Sequence, residues 1–171
     1  GEIANIVRPD AKVHRPIVGM PVISVKIGDH CYHGLCDMGA SASAIPYDLY
    51  KEIMHDIAPV ELEGIDVTIE LDNRDTISPI GIVRDVEVLC GKVKYPTDFL
   101  VLSSPQDDFC PIIFGRPFLN TVNARIDFEK DTVTIGLEDV SHEFNLAKFR
   151  RQPRDRESPS KDEIIGLASI A

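Results

Sequence analysis

The sequence has no tryptophan, no run of 18 apolar residues, no recognisable secretory leader and no internal repeat. Lacking the apolar run, it offers no membrane-spanning helix, and no membrane partner is expected. Lacking a leader, it is expected to stay inside the cell, in the cytoplasm. Lacking a repeat, it is not expected to form two lobes from one duplicated domain. Basic residues are also scarce. The 18 Lys and Arg face 28 Asp and Glu, for a net charge of −10. Such a chain repels phosphate backbones, so no nucleic acid is expected as partner. Its 171 residues are too few for an eight-fold β/α barrel, which needs about 250. The chain opens on Gly1 rather than Met, as a piece excised from a longer polypeptide would.

What is present is a domain-sized supply of apolar residues, 43% of the total. That suffices for one packed core. The four cysteines, at 31, 36, 90 and 110, are expected to be free thiols in a reducing compartment. Cys31, His33 and Cys36 have metal-ligand chemistry, but strand alternation puts Cys36 on the face opposite the other two, so no metal is expected.

Hydrophobic alternation places short strands along most of the chain. Ile23, Val25 and Ile27 alternate with Ser24 and Lys26, and after the Gly28-Asp29 turn a second strand runs from Cys31 to Cys36. Extended structure resumes from Ala42 to Ile45, and Pro46 opens a short helix with Leu49, Ile53 and Met54 on its apolar face. Val67, Ile69 and Leu71 alternate toward a turn at Asp72 to Asp75. Strands are expected at 80–89, 93–102 and 112–114, a helical turn at 118–123, and a closing hairpin at 124–137. Residues 1–16 form a lead-in. Residues 141–171 are expected as a charged linker and tail, with Ile164 to Ala171 an apolar end-piece able to pair or dock. Strand spacing near ten residues suggests a small all-β barrel or sandwich.

Asp37 is the candidate for chemistry. It ends an apolar strand, and Gly39, Ala40 and Ser41 follow it. A carboxylate there needs hydrogen bonds or solvent, and Gly39 lets the backbone turn its N–H groups toward it. A simple Asp turn fits the same residues. The run Ile112-Ile113-Phe114-Gly115 is a buried strand end followed by glycine, a weak signal by itself.

Together, Leu35 to Ser41 (LCDMGAS) and, some 70 residues later, Ile112 to Leu119 (IIFGRPFL) resemble the retropepsin-like aspartic protease domain of plant Ty3/gypsy-type LTR retrotransposon polyproteins. Pro79 to Val88 and Tyr95 to Leu102 are similar to the strand returning from that family's flap and the strand after it. The resemblance implies a mainly β fold over residues 17–140: a closed retropepsin-like (acid protease) β-barrel with one or two short helices. It implies that Asp37 is catalytic within an active-site loop of Met38, Gly39, Ala40 and Ser41. Asp72, Asn73, Arg74, Asp75 and Thr76 would form the substrate-covering flap, with Ile112, Ile113 and Gly115 packed under the loop.

The family's chemistry uses two aspartates, and this chain has one such motif. The resemblance therefore implies a homodimer with Asp37 at its two-fold axis, the pair sharing a proton and activating water without a cofactor. The substrate would be polypeptide, at the junctions of a Gag-Pol polyprotein, and virus-like particles are a further setting. Two departures favour an alternative, a weakly active or inactive dimerisation or binding module. Met38 stands where most relatives carry Ser or Thr, whose hydroxyl braces the two loops across the dimer, with Ser41 and Ser43 the nearest substitutes. The flap turn has no glycine. A host protein that binds peptides with the same barrel is a third reading.

Overall fold

The computed structural model describes residues 19–56, 61–70, 74–103 and 110–147, and the backbone of residues 169–170. Strand β1 (Val22–Ile27) buries Ile23, Val25 and Ile27 and exposes Ser24 and Lys26, as period-two alternation requires. The Gly28-Asp29 turn, with Gly28 at φ 59°, returns the chain into β2 (His30–Cys36). The two strands pair from Val22↔Leu35 to Ile27↔His30.

Next come β3 (Ser43–Pro46), α1 (Tyr47–Asp56), β4 (Ile69–Glu70), β5 (Thr76–Ile77), β6 (Gly81–Cys90), β7 (Val93–Leu102) and β8 (Ile112–Phe114). Helix α2 (Arg116–Thr121) then leads to β9 (Arg125–Asp127), β10 (Thr132–Ile135), β11 (His142–Asn145) and β12 (Ser169–Ile170). Pro117 falls in the first turn of α2, where a missing N–H costs nothing.

Six strands close a barrel in the order β1-β2-β8-β3-β7-β6. All three residues of β8 are buried, which suits an interior strand. It pairs parallel with β2, from Gly34↔Ile112 to Cys36↔Phe114, and touches β3 at Ala44↔Ile113. β8 thus separates the two strands that flank Asp37. The Phe114 ring stacks on Phe118 with centroids 4.0 Å apart, and Phe99 lies 6.2 Å from Phe114. Gly34 leaves room for that ring, since a Cβ there would collide with the Phe114 edge.

Between β6 and β7 the register shifts from Val83 to Val86. The bulge carries Asp85 at φ 55°, its N–H donating to Asp98 Oδ1 at 2.9 Å. Arg84 pairs with Glu63 at 2.9 Å and Asp98 at 3.3 Å, while Glu63 and Ile82 exchange two backbone hydrogen bonds. These contacts anchor the segment entering β4.

Two expectations change. Of the alternating stretch Val67 to Leu71, only Ile69 and Glu70 are assigned as strand, and Val67 precedes it as half-buried coil; Leu71 lies outside the described residues. Among the described residues, Ile69 pairs with Ile77 and Glu70 with Thr76. Residues 142–147 are not tail. β11 pairs with β10 (Val133↔Phe144), Leu146 is buried, and Ala147 pairs with Met20. Phe144 and Leu146 supply the inward alternation, with the exposed His142 at the end of the same face against the Phe144 ring, while Glu143 and Asn145 face out. The expected lead-in 1–16 and residues 148–168 and 171 of the expected linker and tail lie outside the described residues.

Gly34→Ala is expected to cost about 1–3 kcal/mol by overpacking against Phe114. Urea unfolding monitored by circular dichroism checks it; an unchanged midpoint would show that the ring moves aside freely.

Candidate active site

Asp37 sits where β2 ends, and only 7% of it is exposed. Burying a carboxylate is costly without hydrogen bonds. Here the backbone provides one to the carboxylate and further ones to its loop. The Gly39 N–H donates to Asp37 Oδ1 at 2.8 Å, and the Asp37 N–H donates to the Phe114 carbonyl at 2.9 Å. The Ala40 N–H donates to the Asp37 carbonyl at 3.2 Å, closing a tight turn over Met38 and Gly39. The expected turn residues therefore do gather around this carboxylate.

The segment after β8 is tied to the same loop. The Arg116 N–H donates to the Ala40 carbonyl at 2.9 Å. The Gly115 N–H donates to Ser43 Oγ at 3.0 Å, in a buried contact across 72 residues. Gly115 has ordinary extended dihedrals, so its need for glycine is steric: a Cβ would collide with the Ala42 carbonyl and lie 2.9 Å from that of Ala40. Ile112 is fully buried in the main core, whereas Ile113 packs toward the loop.

Met38 departs from its neighbours. It is 63% exposed, next to a carboxylate almost closed off from solvent. Ser41 is half-buried in the bend after the turn.

A second apolar cluster joins the loop to the flap candidate. Ala40, Ala44 and Ile113 pack with Ile69 of β4 and, around them, the half-buried Ile77 of β5. Leu100 and Leu102 of β7 complete it. Arg74, Asp75 and Thr76 are exposed at the tip, and Arg74 adopts a left-handed conformation at φ 67°; Asp72 and Asn73 lie outside the described residues. A turn without glycine is thus built by placing Arg74 in the strained region.

The Ser43–Gly115 bond and the Phe114 carbonyl were beyond sequence reading, because each partner lies more than 70 residues away and is chosen by the strand order. Ser43 was named only as a nearby hydroxyl, and its bond turns out to be internal to the chain. Among the described residues, no group of three or more His, Cys, Asp and Glu is placed to hold a metal ion.

Burial also governs the thiols. Cys36, beside Asp37, is pushed up to about 12 by desolvation and by nearby Cys90 and Cys110. Cys90 is pushed up to about 11 by desolvation. Cys31 alone among the four is exposed.

No protein-family model matches this chain, and no curated protein matches it. Solved structures do. The retroviral protease-like domain of Ddi1 from Leishmania major aligns with a TM-score of 0.53 at 15% identity, over 79% of this chain and all of that one. EIAV protease, solved with the inhibitor HBY-793, aligns with a TM-score of 0.51 at 18% identity, over 67% of this chain and 99% of that one. This chain has the retroviral protease fold. The closed barrel, β8 between β2 and β3, and the short helix after Gly115 are this chain's own version of it.

Ser43→Ala is expected to cost about 1–3 kcal/mol, because it strands the buried Gly115 N–H. Chemical denaturation measures this, and a loss near zero would mean the bond contributes nothing. The thiols give a pH dependence. Folded Cys36 and Cys90 keep their protons above the ordinary thiol value of 9.0, where unfolded thiols lose theirs. Their contribution is fully present below about pH 9 and declines as pH rises toward 11 and 12. Rapid labelling at pH 8 should modify Cys31 and spare Cys36 and Cys90 until the chain unfolds, read by mass spectrometry.

Proposed function

We propose that this chain is an aspartic endopeptidase that works as a homodimer, with Asp37 of each copy meeting at a two-fold axis. The observation that carries this reading is the Asp37 loop: a buried carboxylate at a strand end, its Oδ1 held by the Gly39 N–H, in a barrel of retroviral protease fold. In that dimer a second copy would cover exposed Met38 beside it.

In such a pair, two carboxylates about 3 Å apart cannot both ionise. One proton is shared. The ionised partner takes a proton from a water molecule as that water attacks the scissile carbonyl, and the protonated partner donates to the carbonyl oxygen. Collapse of the tetrahedral diol returns a proton to the leaving nitrogen and releases the two peptides. The Asp37 backbone bonds hold each carboxylate in place through these transfers. The apolar wall of Ala40, Ala44, Ile69 and Ile113 suits apolar substrate side chains.

The motifs at Leu35 to Ser41 and Ile112 to Leu119 further support a Gag-Pol polyprotein of a plant Ty3/gypsy-type element as substrate, cut in the cytoplasm or in virus-like particles. A second reading, a dimerising or peptide-binding module with little activity, is favoured by Met38, which lacks the hydroxyl brace.

Asp37→Asn should lower cleavage of a denatured protein substrate by about 10³-fold while leaving the unfolding transition intact. Wild-type activity should rise and fall between about pH 4 and 7, because only the singly ionised pair works. Cleavage that survives the substitution would overturn the reading. A folded, dimeric wild type with no activity would favour the second reading, and Met38→Thr is then the variant expected to restore cleavage.

A further inference from the structure

The outer edge of β4, away from β5, is not left open. Ser169–Ile170 adds to it as an antiparallel strand, with Ile170 opposite Ile69 and Ser169 opposite Glu70. The flap candidate is therefore a three-stranded sheet, β12-β4-β5, whose third strand comes from the far end of the chain. Adding an extended segment to a sheet edge through the main chain is a general mode of peptide binding.

The location gives this pairing a consequence. Ile69 is 1% exposed and packs in one cluster with Ala40, whose N–H closes the turn at Asp37. A backbone laid along β4 at Ile69 therefore lies on the strand that roofs the Asp37 loop. The composition of the end-piece fits that position. Ile164 to Ala171 (IIGLASIA) carries no charge, although Arg150 to Glu163 is densely charged. On a chain of net charge −10, a neutral segment meets no repulsion from the acidic surface.

We propose that the outer edge of β4 is a binding site for an extended, neutral, apolar peptide, and that the chain's own C-terminal segment occupies it in cis, in competition with substrate. The competition with substrate rests on the protease reading above; the binding of peptide to β4 does not. A tethered segment acts at an effective concentration on the order of mM, so weak pairing suffices to hold it.

The test uses the full chain with Ser169→Pro and Ile170→Pro together, which removes both backbone donors from the pairing strand. Successive N–H groups of a strand face opposite edges, so hydrogen exchange followed by NMR should show one of the Ile69 and Glu70 amides, the one facing β12, exchanging at least about tenfold faster than in wild type. The β6–β7 amides should be unchanged, which reports that the barrel is intact. A synthetic peptide of residues 164–171, added in trans, should restore protection at β4 in the variant and bind it at least about tenfold more tightly than it binds wild type. Unchanged exchange at Ile69 and Glu70, or equal peptide affinity for the two proteins, would overturn the proposal whether or not the protein cleaves anything. In the cleavage assay the variant should turn over a dilute substrate several-fold faster than wild type. Equal rates with altered exchange would overturn the competition with substrate; absence of cleavage by both proteins counts against the protease reading alone.

Discussion

The structure depends on how one buried carboxylate is held. Asp37 lies at the end of β2 with almost no solvent, and main-chain groups hold its Oδ1 and its loop. That arrangement needs β8 between β2 and β3, because the Phe114 carbonyl, the Gly115 N–H and the Arg116 N–H all come from the chain just after or at the end of β8. The barrel order, the absence of a side chain at Gly115 and the burial of Ser43 all serve the same contact. A backbone cradle is stiff, since its donors are fixed by strand pairing rather than by rotatable side chains. It keeps the carboxylate in one place in a setting where an unpaired charge would be expensive.

The two largest of the three apolar clusters divide the labour. The larger one, with Phe99, Phe114 and the β1 isoleucines, fills the barrel. The smaller one joins Ala40 and Ala44 to Ile69, with Ile77 packed against them, so flap and loop share one surface. The Arg84, Glu63 and Asp98 contacts are exposed and contribute little stability by themselves. Their value is geometric: with the Glu63–Ile82 backbone pair they set where the chain leaves the barrel for β4. Met38 stands apart from both clusters, an apolar side chain in solvent beside the most protected carboxylate of the described residues.

Much of this was legible in the residues. Alternation at Val22 to Ile27 marks a strand with one buried face, and Gly28-Asp29 marks its turn, because period-two burial and left-handed turns are local demands. The Asp37-Gly39 turn was legible for the same reason. β11 was not, because its four residues carry only one apolar side chain and open onto a charged run. The start of β4 was not legible either, since alternation begins at Val67 although, among the described residues, pairing with β5 begins at Ile69.

By itself the sequence determined most of the barrel strands, the tight turns, the candidate carboxylate and its resemblance to a protease family, since each rests on neighbours within a few positions. Only the tertiary structure decided which strand lies beside which, that Ser43 would accept from Gly115, that Gly34 makes way for Phe114, and that residues 169–170 would pair with β4. Those contacts join residues 72, 80 and about 100 positions apart. A local pattern states that a strand has an edge to fill; the closure of the whole barrel selects what fills it.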